Sequence, residues 1–265
     1  MINLLVSDFY KIKKNKAFLI CAILCIIIGA LMVPAYEANL QADLQYDPAD
    51  HDYQEALEIS LQTSAVWSLK KFLPFNYSAL IIGIFIAIFI TSEFTYGTVK
   101  NTLSRGVDRS KVFLSKFIVC SVAALLMQIL FILMLVISGS IVWDYDPHGI
   151  SSFSGVIRVV LTQLLAILSF TALFTFVSTA IRAYGGAIAI IILYTTVIST
   201  VLTAFSLIFG FGESARDYWL GGVIYKLATV TPLPGDVSHG ILVVAVWGIL
   251  SLTVGIILFI KMDVK

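Results

Sequence analysis

The sequence predicts an all-α integral membrane protein built as a single transmembrane domain of six helices, and three features carry that prediction. Of the 265 residues, 59% are hydrophobic and only 12% charged, about half the charged share of a soluble domain, and the mean hydropathy is +0.98. Six apolar stretches, near 17–33, 75–91, 112–142, 157–181, 184–209 and 240–260, match the length of about 20 residues that a helix needs to cross a bilayer. With six crossings, all but five of the 17 lysines and arginines fall on one side; the five are Lys70, Lys71, Arg158, Arg216 and Lys226. Excess positive charge marks the cytoplasmic side, so both termini are expected there. Most of the acids, including Asp43, Glu55, Asp144 and Asp217, fall opposite.

Residues 2–16 place Ile2, Leu5, Phe9 and Ile12 at helical spacing, with Lys11, Lys13, Lys14 and Lys16 toward the end. The pattern reads as an interfacial amphipathic helix, or as a basic flank that sets topology. A cleaved signal peptide is a rival reading, because the first apolar run ends in the small-residue pattern Val33-Pro34-Ala35; we expect the run to be a retained anchor. Residues 34–71 form an acidic external loop in which Tyr53, Leu57, Leu61 and Ala65 imply one packed helix. His51 lies there apart from His148 and His239. A metal site needs several convergent ligands, and none is expected. Asn76-Tyr77-Ser78 fits the glycosylation pattern but sits at the mouth of a span.

The second span runs into a polar, basic island over residues 92–111. Tyr96, Val99, Leu103 and Val107 recur on one helical face, while Lys100, Ser104 and Arg105 fall elsewhere. Gly106 is placed to end this short helix, and Asp108 or Ser110 to cap the next. By itself the island reads either as a helix docked at the membrane surface or as a solvated loop. Glu93 stands at the cytoplasmic boundary and needs a partner to be buried; Arg109, Lys116 and the N-terminal lysines are the candidates.

The third span is long, with Gln128 at mid-membrane, and Asp144-Tyr145-Asp146-Pro147-His148-Gly149 supplies turn chemistry after it. Spans four and five meet in a tight turn around Arg182–Gly186 and are expected to be antiparallel neighbours. Thr196, Thr200, Thr203 and Ser206 share a face of the fifth span, and Thr171, Thr175 and Ser178 a face of the fourth. Such hydroxyls either line a polar translocation path or let helices pack closely, and packing is the commoner use. Residues 210–239 form a second external loop, in which the apolar run 218–230 is too short to cross and reads as re-entrant or interfacial before Pro232 and Pro234.

Catalytic chemistry finds no footing. Cys21, Cys25 and Cys120 lie within spans, no phosphate-binding G-x-x-x-x-G-K-[ST] motif occurs, and no carboxylate pair or nucleophile–base grouping stands out. The spans lack mid-membrane ionisable residues, which argues against an ion-coupled carrier built on buried charge.

The run from Glu93 to Lys116, with its core Glu-x-x-x-Gly-Thr-x-Lys-x-x-Leu-Ser-Arg-Gly followed by Arg109 and Lys116, resembles the segment after the second span in permease subunits of type-2 ATP-binding-cassette transporters. The six spans, the N-terminal amphipathic helix and the short elements before the last span resemble the same family. The resemblance implies that residues 94–107 are a coupling helix docking on a separate nucleotide-binding subunit. Glu93, Tyr96, Val99, Lys100, Leu103, Arg105 and Arg109 would then relay its movement. It further implies that ATP and Mg are used by that partner, with no cofactor bound here and no nucleic acid as partner. A second permease chain, identical or related, would place the substrate path between the two; if the hydroxyl stripe of the fifth span lines it rather than packs, Thr196, Thr200 and Thr203 are the path residues. The expected role is export of a hydrophobic or amphipathic peptide, lipid or drug across a bacterial plasma membrane, including resistance to antimicrobials. The rivals are an ATP-independent secondary carrier and a membrane sensor or scaffold of an ATPase complex.

The charge asymmetry makes topology testable. A cysteine placed at Ser60 should react with an impermeant thiol reagent applied to intact cells, and one at Asn101 should not. External labelling at Asn101 would overturn the six-crossing arrangement.

Overall fold

The computed structural model describes residues 1–47, 50–75, 77–146, 153–198, 200–202, 204–205, 217–228 and 235–262, and every regular element among them is helical. Asn76, His148, Thr203, Ser206, Pro232 and Pro234 lie outside the described residues. Six helices are long and apolar enough to cross a membrane: α2 (Lys16–Asp43), α5 (Tyr77–Thr95), α7 (Arg109–Trp143), α8 (Phe153–Ile181), the span Tyr184–Leu202 opened by α9 (Tyr184–Ile192), and α11 (Asp236–Lys261). Shorter helices flank them: α1 (Ile2–Lys14), α3 (His51–Ser60), α4 (Ala65–Phe72), α6 (Thr98–Ser104) and α10 (Leu220–Leu227).

The centre of the bundle is α5, which packs against α2, α7, α8 and α9. Its approach to two of them depends on Gly83: a Cβ there would meet Ile191 Cγ2 at 2.6 Å and the Phe174 ring at 2.9 Å. Small residues at such crossings let backbones close together where lipid gives no hydrophobic drive for association. Phe85, Ile82 and Ile86 on α5 are fully buried between its neighbours. The turn from α8 to α9 is tight, with Arg182 in a left-handed conformation at φ 57°, and α8 and α9 are packed neighbours as expected.

Two boundaries differ from the sequence reading. The first span does not stop at Pro34 but continues as helix to Asp43. A proline inside a helix removes the hydrogen bond to the carbonyl four residues back, a costly loss in hydrocarbon. Here that carbonyl, Ala30 O, accepts a hydrogen bond from Ser138 Oγ of α7 at 2.9 Å, so the helix survives. The external segment therefore shrinks to α3 and α4 beyond an extended α2. In the N-terminal helix, the expected single apolar face is split: Leu5 and Ile12 pack inward, whereas Ile2 and Phe9 are exposed. Asn15 ends α1 with an extended backbone, and its side chain caps α2 by accepting from Ala17 N at 2.8 Å.

At the opposite end, Trp143 of α7 meets Tyr36 of α2 and Trp67 of α4 edge to face, and Tyr36 and Trp67 are tilted against each other, with ring centroids 5.5–6.2 Å apart. Gly139 makes the joint between α4 and α7 possible, because a Cβ there would lie 2.7 Å from Ala65 Cα. The obstacle is backbone, so no rotamer relieves it. Gly139→Ala is expected to lower stability by about 1–3 kcal/mol, the usual cost of overpacking. Thermal unfolding in detergent measures it, and an unchanged midpoint would show that α4 is free to shift.

Candidate functional site

Four ionisable side chains from three helices meet at the end of the bundle where α1, α5 and α7 converge. Asp8 of α1 is 0% exposed. Its Oδ1 accepts from Lys116 Nζ at 2.6 Å and Lys11 Nζ at 3.1 Å, and its Oδ2 from Ser115 Oγ at 2.8 Å. Glu93 of α5 is bound by the same two ammonium groups, Lys11 at 2.9 Å and Lys116 at 2.6 Å. The result is a closed, charge-neutral square in which each lysine bridges both acids.

Charge and burial work against each other here. Burial alone would push the Asp8 carboxyl up; the charges of Lys116 and Lys11, with hydrogen bonds from Lys116 and Ser115, outweigh it and hold Asp8 below the ordinary carboxylate value. For Lys11, burial would lower the ammonium value, but Glu93 and Asp8 raise it above the ordinary one. Pairing therefore keeps both α1 groups charged.

Glu93 lies one turn before the elbow that opens the loop between α5 and α7. Gly97 takes φ 67° and Gly106 φ 80°, bracketing α6 with two left-handed residues. Thr98 Oγ1 donates to Glu93 O at 3.1 Å and ties the elbow to the charged residue's own backbone. Beneath α6, Val99, Val112, Phe113 and Phe259 form a small buried cluster on which Leu103, Val107 and Leu4 pack. The void among them, also bordered by Glu93 and Lys116, is about 10 Å³, room for no more than one water. This is a joint, not a ligand pocket.

The sequence-predicted residues are sorted accordingly. Glu93 finds its partners in Lys116 and Lys11, two of the candidates, while Arg109 goes elsewhere: its guanidinium donates to the carbonyls of Ile260 and Met262 and caps the end of α11. Val99 and Leu103 face the interior, which corrects their expected place on an outward docking face. The helix turns its apolar side inward because Phe113 and Phe259 offer it a dry surface. What remains outward is Tyr96, 77% exposed, with Lys100, Asn101, Ser104 and Arg105. Asp108 stands at the N-cap position of α7 but pairs with Lys111 and makes no capping hydrogen bond.

Thr196 and Thr200 are exposed and donate to carbonyls of their own helix, Ile192 O at 2.6 Å and Thr196 O at 2.9 Å. Among the described residues no other helix covers them, and Leu193–Ile198 is wound as a π-helix. Thr171, Thr175 and Ser178 of α8 are fully buried, as close-packing positions are. The run after the fifth span contributes α10, whose Leu220, Val223, Ile224 and Leu227 are buried. Gln163 Nε2 of α8 donates to Ile224 O at 3.3 Å. Asp8 was missed in the sequence; the signal was an acid on the same helical face as Leu5 and Ile12, inside an otherwise basic segment.

The family model described as ABC-2 family transporter protein matches residues 4–199, well over half of the chain. The chain belongs to this family. The match takes in the whole ion square and α6 and ends within the fifth span, before α10 and α11. ABC-2 membrane proteins are transport subunits that generally pair with an ATP-binding subunit, so the permease reading holds at that level. No curated protein matches the chain.

Removing one member of a buried ion pair strands the others. Lys116→Ala, with Asp8 and Glu93 both buried, should cost about 3–5 kcal/mol; Lys11→Ala should cost less, since the Lys11 side chain is 38% exposed. The depressed Asp8 contributes stability present above its ordinary value of 3.8 and lost as pH falls through the lower folded value. Lys11 contributes stability present below 10.5 and lost as pH rises through its raised folded value. Unfolding midpoints in detergent should therefore show a smaller acid-side loss in Asp8→Asn than in the parent. Identical acid limbs would show that the square contributes nothing.

Proposed function

We propose that this ABC-2 permease works by ATP-driven export of a hydrophobic or amphipathic compound, with ATP and Mg held by a separate nucleotide-binding chain docked on α6. The observation that carries the coupling role is the ion square at the root of α6. A short helix conveys force only if its base is held firmly, and here the base is tied at once to α1, α5 and α7. The exposed face of Tyr96, Lys100 and Arg105 is the surface offered to the ATPase. Its positive charge calls for an acidic groove on that partner.

The absence of mid-span ionisable residues suits an apolar or amphipathic cargo. The path would lie between two permease chains, with the exposed Thr196 and Thr200 turned toward the second one. Resistance to antimicrobial peptides or drugs, in a bacterial plasma membrane with both termini inside, is the biological role that the family resemblance favours.

Docking and coupling separate by mutation. Lys100→Glu combined with Arg105→Glu should weaken copurification of the ATPase subunit by at least about tenfold while leaving the fold intact, because both side chains are exposed. Glu93→Gln should leave the complex assembled and lower transport per ATP hydrolysed. Leu103→Asp, facing the Phe113 cluster, should instead destabilise the loop itself. Pulldown, ATPase activity and transport in lipid vesicles read all three, and normal assembly and transport in the first two variants would reject the coupling role.

A further inference from the structure

We propose that the outward side of α1 is a docking surface for anionic phospholipid, with its apolar residues in the acyl boundary and Lys13, Lys14 and Lys16 on the headgroup phosphates. The helix has two unlike sides. Asp8, Ile12, Leu4 and Leu5 turn toward the protein, whereas Ile2, Val6, Phe9 and Tyr10 are exposed at 76%, 63%, 39% and 59%. Four large apolar residues along one side of a helix beside a membrane span enter lipid. At the end of that side Lys13, Lys14 and Lys16 are exposed, and among the described residues no acid pairs with them; Lys14 Nζ instead sits 4.8 Å from the Tyr10 ring centroid.

The break at Asn15 fixes the depth. The backbone leaves the helical path there, and α2 begins at Lys16, so the three ammonium groups cluster at the mouth of the first span, at headgroup level. All lipid headgroups offer phosphate, but a zwitterionic one also carries its own cation. Three lysines that pair with no acid among the described residues therefore select a lipid of net negative charge, each contributing about 1 kcal/mol of attraction near the surface, or about fivefold in affinity. The opposite side of the same helix holds Asp8 and Lys11, so the lipid seats the ion square from outside. The coupling joint thereby becomes sensitive to leaflet composition.

The test uses the purified full-length protein, titrated in detergent with phosphatidylglycerol or phosphatidylcholine and read by native mass spectrometry. The parent should retain phosphatidylglycerol at least about tenfold better. Lys13→Gln with Lys14→Gln and Lys16→Gln should lose the preference, and the matching Lys→Arg variant should keep it. Raising salt should collapse the preference in the parent, which keeps the test decisive even if the Gln variant fails to fold. Phe9→Trp should be quenched by brominated phosphatidylglycerol in vesicles. Equal retention of the two lipids by the parent overturns the proposal, as does a preference that survives the Gln changes or high salt. So does loss of ATPase-subunit binding in the Gln variant with lipid retention unchanged, which would make an acidic protein surface the occupant.

Discussion

The structure turns on the problem of burying three charges, Asp8, Glu93 and Lys116, at one end of the bundle with a half-exposed fourth, Lys11, closing over them. Asp8, Lys11, Glu93 and Lys116 solve it by closing on one another, each lysine shared between both acids. A buried square of this kind adds little net stability over an apolar core of equal volume, because desolvation offsets most of the attraction. What it provides is position. A carboxylate with two ammonium partners has few acceptable placements, so α1, α5 and α7 are locked in register where the loop carrying α6 begins. The loop then inherits a fixed root and two glycine bends at which its direction can change.

The same accounting governs the rest of the bundle. In hydrocarbon each freed backbone group needs a partner, and the structure supplies them one at a time. Ser138 satisfies the carbonyl released by Pro34, and Arg109 satisfies the last carbonyls of α11. Ser169 of α8 donates to Val244 O of α11 at 2.7 Å, and Gly248 faces the same serine so closely that a Cβ would lie 2.8 Å from its Oγ. Small residues and hydroxyls thus set helix spacing and discharge polar debts together.

The loop shows where reading the sequence succeeds and where it stops. Periodicity found a short helix, but of the four residues it grouped only Val99 and Leu103 lie on that helix and face inward; Tyr96 precedes Gly97 and is exposed, and Val107 follows Gly106. It could not say which way that face points, because an apolar face is equally suited to a partner chain and to the protein's own interior. The answer depended on Phe113 and Phe259, which lie on two other helices. Asp8 was overlooked for a related reason: an isolated acid in a lysine-rich segment looks solvated until the residues facing it are known. Lys11 and Lys116 were named as candidate partners for Glu93, but only folding shows that both bind it and that they share Asp8.

The sequence alone determined the membrane class, the six spans, the one-sided excess of lysine and arginine and the existence of a helix after the second span. These follow from local quantities: the length of apolar runs, the distribution of charge and the helical repeat. Tertiary structure alone decided that the first span runs on through Pro34, that α1 presents two different sides, that Arg109 caps the last span, and that four distant charges form one joint. Each of these rests on a contact between residues far apart in the chain, and the energy of such a contact has no signature in either segment by itself.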